Sequence, residues 1–306
     1  MPRQLTVILH QAVHDKGMED YGIERIVDSQ DLLGEGPIWD VERRRLYWTD
    51  IDGGRYHLFE PSKGAHRTLM LGVKVGAIGL RERGGLILAT QEGFAFHDPD
   101  ADEPPEYLAN PEADRPETRF NDAAVDPGGR FWAGSYGGER NTLYCLERSL
   151  DVRAVDSGFG VPNGIGWSLD DSVMYFTDSA AKTIYAYDFD AERGEIENRR
   201  EFIVTQDESG VPDGLVVDAE GFVWSARFDG HRLERYDPGG VLERTIELEV
   251  QCPTSMAFGG PGSDELYVTS ATKTLSEAKC RQQPLSGGLI RLWPGVKGRA
   301  EPRFKG

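Results

Sequence analysis

The chain has 306 residues, 39% of them hydrophobic and 28% charged, enough for a continuous core without disulfide or metal staples. Its 34 basic residues face 52 acidic ones, a net charge of −18 that repels nucleic acid and anionic membrane surfaces and otherwise reads as a means of solubility. Only three cysteines occur, at 145, 252 and 280, with no Cys-x-x-Cys pair, as expected for reduced thiols in the cytoplasm, although a Cys252–Cys280 bridge stays open on spacing alone.

From the N-terminus, residues 1–20 read as an arm. The apolar run Leu5–Leu9 is too short and too weakly flanked for a signal peptide, and no run approaches the roughly 18 apolar residues of a membrane helix. His10 and His14 are four apart but have no third ligand nearby, so they are not read as a metal site. YGIERIVDS, from Tyr21, is a strand without an obvious partner.

One pattern then recurs six times: a turn, a short apolar stretch, a polar turn with Asp or Gly, and an apolar-aromatic stretch ending in small polar residues. The copies are GEGPIWDVERRRLYWTD from Gly34, KVGAIGLRERGGLILATQ from Lys74 and FNDAAVDPGGRFWAGS from Phe120. PNGIGWSLDDSVMYFTDS from Pro162, PDGLVVDAEGFVWSAR from Pro212 and PTSMAFGGPGSDELYVTS from Pro253 complete the set. Aligned, one column reads Glu35, Val75, Asn121, Asn163, Asp213, Thr254, with spacings of 40, 46, 42, 50 and 41 residues. Repeats of that length, built from short strands and turns such as Val-Asp-Pro-Gly-Gly-Arg at 125, mark propeller blades. Third and fourth strands follow, for example RLERYDP from Arg232 and VLERTIEL from Val241. LSEAKCRQQ, from Leu275, reads as loop. The sixth copy has a third strand, GLIRLWP from Gly288, and then only a polar tail over 296–306. The strand from Tyr21 can serve as its missing fourth and close the ring. The expected fold is all-β: one six-bladed β-propeller over 1–306, closed by an N-terminal strand in the last blade. An open solenoid is the structural alternative.

In a propeller the first strand of each blade lines the central channel, so equivalent positions converge. Four of the six column residues, Glu35, Asn121, Asn163 and Asp213, carry oxygen donors, which calls for a divalent cation. Oxygen donors favour Ca²⁺ or Mg²⁺, with Mn²⁺ or Zn²⁺ possible. Taken singly, an Asn or Asp before Gly is an ordinary turn former; the shared register makes the case. Arg119 lies two residues before Asn121 and can face the same side, to hold substrate hydroxyls or a carboxylate, or to make an ordinary salt bridge. Tyr136-Gly137-Gly138-Glu139 is either a lid or a Gly-rich loop. Asp50 and Asp178, ending equivalent second strands, either line the channel or brace turns. No Gly-x-Ser-x-Gly elbow, Walker loop or dinucleotide fingerprint occurs.

Together GEGP at Gly34, RFND at Arg119, VPNG at Val161, PDG at Pro212 and PTSMAFGG at Pro253 resemble the SMP-30/gluconolactonase/luciferin-regenerating family of six-bladed propellers. The resemblance implies metal ligands at Glu35, Asn163 and Asp213, and substrate contacts at Arg119, Asn121 and Glu139. The family's lid is often more acidic and carries a Met, whereas here it reads Tyr-Gly-Gly-Glu. The activity implied is metal-dependent hydrolysis of a sugar-type lactone, with Asp213 as general base. Phosphotriester or other ester hydrolysis at the same metal, or a non-catalytic metal-binding propeller, are the alternatives.

Overall fold

Turn chemistry sets where the strands begin and end. In the third repeat Asp126 caps a tight turn: Gly129, at φ +87°, donates its N–H to Asp126 O at 2.9 Å. The Asp126 carboxylate accepts from Arg130 N at 2.8 Å and from Trp132 Nε1 at 3.0 Å, so one buried side chain closes the turn and anchors the next strand. The fifth repeat does the same with Asp218 and Trp224 Nε1, at 2.9 Å.

The computed structural model describes residues 21–138, 140–205 and 209–306. They form six four-stranded antiparallel sheets. Their innermost strands are Gly34–Asp40, Val75–Leu80, Arg119–Val125, Pro162–Trp167, Val211–Val217 and Pro253–Gly259. Each inner strand packs against the inner strands of both neighbouring sheets, so the six form a closed ring, a six-bladed β-propeller. The last blade takes its outer strand from the N-terminus: Glu24–Val27 pairs with Leu289–Leu292, Glu24 opposite Arg291. The arm over 1–20, with His10 and His14, lies outside the described residues.

The core lies between blades. Ile87 and Phe94 of the second blade pack with Phe120 and Phe131 of the third, and Trp224 and Leu233 of the fifth with Met256 and Phe258 of the sixth. Inner strands approach closely enough to demand glycine. A Cβ on Gly76 would sit 2.4 Å from Phe120 O, and one on Gly164 would sit 2.4 Å from Leu215 N.

Two sequence expectations need correction. LSEAKCRQQ is not all loop: Glu277–Gln282 is a short α-helix whose N-cap, Ser276, accepts from Lys279 N. The segment from 296 is not a loose tail. Phe304 is fully buried in the core between the second and third blades, and its N–H donates to Leu80 O at 2.8 Å. Gly298 N bonds Ser263 O, Arg299 reaches Trp167 O, and Lys305 N bonds Gly129 O, so the segment crosses from the sixth blade to the third and closes one end of the channel. All three cysteines are free thiols, which removes the Cys252–Cys280 bridge. No helix among the described residues is long and apolar enough to cross a membrane.

Candidate active site

All six inner strands break register with their neighbours at the aligned column. The ladder shifts between Glu35 and Ile38, Val75 and Ala77, Phe120 and Ala123, Pro162 and Ile165, Pro212 and Leu215, and Pro253 and Met256. A bulge bends its strand and re-aims the side chain at that point. Three column residues follow a proline, which has no N–H to give the ladder.

Five of the six residues named from the sequence line one pocket of about 320 Å³ at the channel mouth: Glu35, Arg119, Asn121, Asn163 and Asp213. The sixth, Glu139, lies outside the described residues. Tyr136, the last residue of the strand Phe131–Tyr136, lines the pocket, with the Arg119 guanidinium 4.9 Å from its ring centroid. Asp50 and Asp178 brace turns. Asp50 accepts from Leu33 N and Gly53 N, and Asp178 from Gly160 N and Val161 N.

A polar chain runs round the pocket wall. Arg119 Nη1 donates to Asn121 Oδ1 at 2.7 Å, and Asn121 Nδ2 to Asn163 Oδ1 at 3.1 Å. Asn163 Nδ2 donates to Ser179 Oγ at 2.9 Å, and Ser179 Oγ to Pro212 O at 2.6 Å. With its nitrogen held by Ser179, Asn163 is left to present its oxygen, and its orientation is set.

The carboxylates are under electrostatic stress. Burial, then the charge of Asp122, pushes Glu35 up to about 8. Burial, then Glu35 and Asp122, raises Asp213 well above the ordinary Asp range. Asp213 Oδ1 is buried with no hydrogen-bond partner. A buried carboxylate oxygen without a donor is costly and points to a missing cation or proton.

Asp122 is the acidic residue that sequence reasoning missed. It is buried, raised to about 6 by that burial, and lines a second, small cavity of about 80 Å³ together with Glu301 of the C-terminal segment. A signal was present: the column after the aligned one reads Gly36, Gly76, Asp122, Gly164, Gly214, Ser255, so a carboxylate stands where glycine prevails. Ser179 and Lys273 also line the pocket, and neither was singled out.

The donor set fits one hard divalent ion. No cluster of three His, Cys, Asp or Glu donors converges among the described residues; the oxygens on offer are those of Glu35 and Asp213 with the Asn163 amide. Two carboxylates and an amide are oxygen donors alone, and the orphaned Asp213 Oδ1 gains a partner when a cation binds.

A model of the SMP-30/Gluconolactonase/LRE-like region matches residues 33–272. The chain is 34% identical to pentonolactonase XacC of Haloferax volcanii, over 92% of this chain and 97% of that one. It is 37% identical to 6-deoxy-6-sulfogluconolactonase of Pseudomonas putida, over 92% and 98% respectively. Among solved structures it resembles a calcium-binding protein, regucalcin, from Agrobacterium tumefaciens, with TM-score 0.87 and 28% identity over 92% of this chain and 96% of that one.

Proposed function

Because the chain belongs to the SMP-30/gluconolactonase/LRE-like family, we propose that it is a hydrolase that opens sugar-type lactones using one divalent metal ion. The observation that carries this reading is Asp213, whose buried Oδ1 has no partner at the wall of a pocket shared with Glu35, Asn163 and Arg119. Two relatives named as sugar lactonases, matched over nearly their full lengths, support the substrate class.

Glu35, Asn163 and Asp213 hold the ion, with Ca²⁺ favoured by all-oxygen donors and Zn²⁺, Mg²⁺ or Mn²⁺ as alternatives. When bound, the ion supplies Lewis acidity to the lactone carbonyl and to the negative charge that develops on its oxygen. Asp213 has two carboxylate oxygens and acts as general base, taking a proton from the attacking water. The water oxygen bonds to the acyl carbon, the ring C–O bond breaks, and the departing ring oxygen takes that proton from Asp213 to become a hydroxyl. The product is a hydroxy acid, which ionises and releases one proton at neutral pH. Arg119 and Asn121, joined by the 2.7 Å bond, orient ring hydroxyls from one wall. Glu139 is a further substrate contact on this reading.

The test is a pH-indicator assay on chelated protein with metal add-back, comparing aldonolactones with aryl phosphotriesters. Lactone turnover that chelation removes and metal restores is expected. Turnover indifferent to chelator overturns the metal role, and phosphotriester turnover ahead of lactone turnover transfers the site to the other ester chemistry.

A further inference from the structure

Four arginines are buried among the described residues: Arg119, Arg130, Arg227 and Arg235. Three of them ion-pair with a buried carboxylate. Arg130 meets Asp126 at 3.0 Å, Arg235 meets Asp218 at 2.8 Å, and Arg227 meets Glu234 at 3.5 Å. Arg119, only 8% exposed, has no such ion pair among the described residues, and the charges of Asp52 and Glu35 reach it without direct contact. Its Nη1 donates to two neutral oxygens, Phe120 O and Asn121 Oδ1. A buried guanidinium keeps its charge, so the compensating anion has to come from somewhere else.

The pocket rim supplies more cation, not less. Lys273 lines the same pocket and reaches Asp52 at 3.3 Å; Lys74 reaches the same carboxylate at 2.9 Å. Burial opposes ionisation of Asp52, yet the two lysines hold its carboxyl below the ordinary Asp value. The charge of Asp52 is also felt by Arg119. Arg119 of the third blade, Lys74 just before the second blade's inner strand and Lys273 after the sixth blade's second strand thus gather around Asp52, and Glu35 and Asp213 are the other carboxylates whose charges they feel. Over the whole chain the acidic residues exceed the basic ones by eighteen, so this local excess of cations runs against the overall charge. A divalent ion balancing Glu35 and Asp213 takes those carboxylates out of the account and leaves the rim positive.

We propose that the pocket selects ring-form sugar lactones that carry an anionic substituent, a carboxylate, sulfonate or phosphate, which completes the charge of Arg119, Lys273 and Lys74 around Asp52. The inference rests on the lactonase reading for the ring, and on the rim for the anion. Charge-assisted hydrogen bonds from guanidinium and ammonium groups are the strongest that a sugar derivative can make here. Of the two lysines that hold Asp52, Lys273 is the one that lines the pocket.

The experiment has two arms on the metal-loaded full chain. In the first, matched six-membered aldonolactones ending in CH₂OH, carboxylate, CH₂-sulfonate or CH₂-phosphate are compared by kcat/KM. In the second, calorimetry measures binding of the corresponding 1,5-anhydro rings, which lack a carbonyl and cannot be hydrolysed. At least one anionic ring is expected to exceed its neutral counterpart about tenfold in both arms, the scale of one charge-assisted contact. Lys273→Gln brings that ratio close to one, and Lys273→Arg keeps it. Because the readout is a ratio within one protein, a loss of folded material cancels. Lactone turnover with equal kcat/KM for neutral and anionic rings overturns the anion inference and leaves the lactonase reading standing. Preferential binding of anionic rings with no lactone turnover sinks the lactonase reading and supports the anion site. An unchanged ratio in Lys273→Gln overturns the role given to the rim.

Discussion

Asn121 Nδ2 donates to Asn163 Oδ1 at 3.1 Å, joining the inner strands of the third and fourth blades at the channel mouth. Asn163 is held at its other end by Ser179, whose hydroxyl is itself tied to Pro212 O in the fifth blade. One amide is thus oriented by three blades, and its oxygen is aimed before any ligand arrives.

Removing that support should loosen the site without unfolding it. Ser179→Ala is expected to weaken Ca²⁺ binding by about tenfold, the lower end of what outer-shell partners contribute. Titration calorimetry on the variant and the parent measures it. Unchanged affinity would show that Asn163 needs no help from Ser179.

Asp213→Asn keeps an oxygen and the shape but loses the base. Turnover of lactone should fall by at least about a hundredfold, the usual worth of a positioned general base. The far-UV circular dichroism spectrum should stay that of the parent. Activity within a few-fold of the parent would exclude Asp213 as the base.

Metal and proton compete for the same carboxylates. Glu35 rises from 4.5 to about 8 and Asp122 from 3.8 to about 6, with Asp213 raised as well. Groups with raised folded-state values hold more protons when folded than unfolded, so their contribution is present at low pH and is lost as pH climbs through the folded values. The metal-free protein should therefore lose stability between the ordinary Glu value of 4.5 and about 8. Saturating Ca²⁺ displaces those protons, so the rise in Tm that it causes should grow across that window. Thermal scans in chelator and in calcium test this, and a rise independent of pH would contradict it.

The C-terminal segment should behave as part of the core. Phe304 is fully buried beside Phe96 and the third blade, so Phe304→Ala should cost about 3–5 kcal/mol. Urea unfolding of the two proteins gives the difference. A loss below about 1 kcal/mol would mean that the blades close without it.

What the amino-acid order determined by itself was everything local and repeated. Six copies of a strand–turn–strand pattern, each punctuated by Asp, Pro and Gly, define the blades and line up Glu35, Asn121, Asn163 and Asp213 in one column. The outer strand of the last blade was legible too, because Glu24–Val27 was left over and the sixth repeat lacked a fourth strand. What depends on neighbours 40 to 50 residues away was not legible, since no local pattern records it. The Gly-to-Asp exchange at Asp122 was visible, but its depth in the channel follows from a register shift that only strand pairing produces. The six-residue helix Glu277–Gln282 is too short to show a helical period, and its cap is a single serine. The C-terminal segment reads as polar because most of it is, while its one buried aromatic, Phe304, finds its partners across the ring. Even the charge of Arg119 changed meaning in three dimensions. In sequence it sits among abundant acids, and only the folded ring shows that, among the described residues, its hydrogen bonds go to Phe120 O and Asn121 Oδ1 and none of the acids ion-pairs with it.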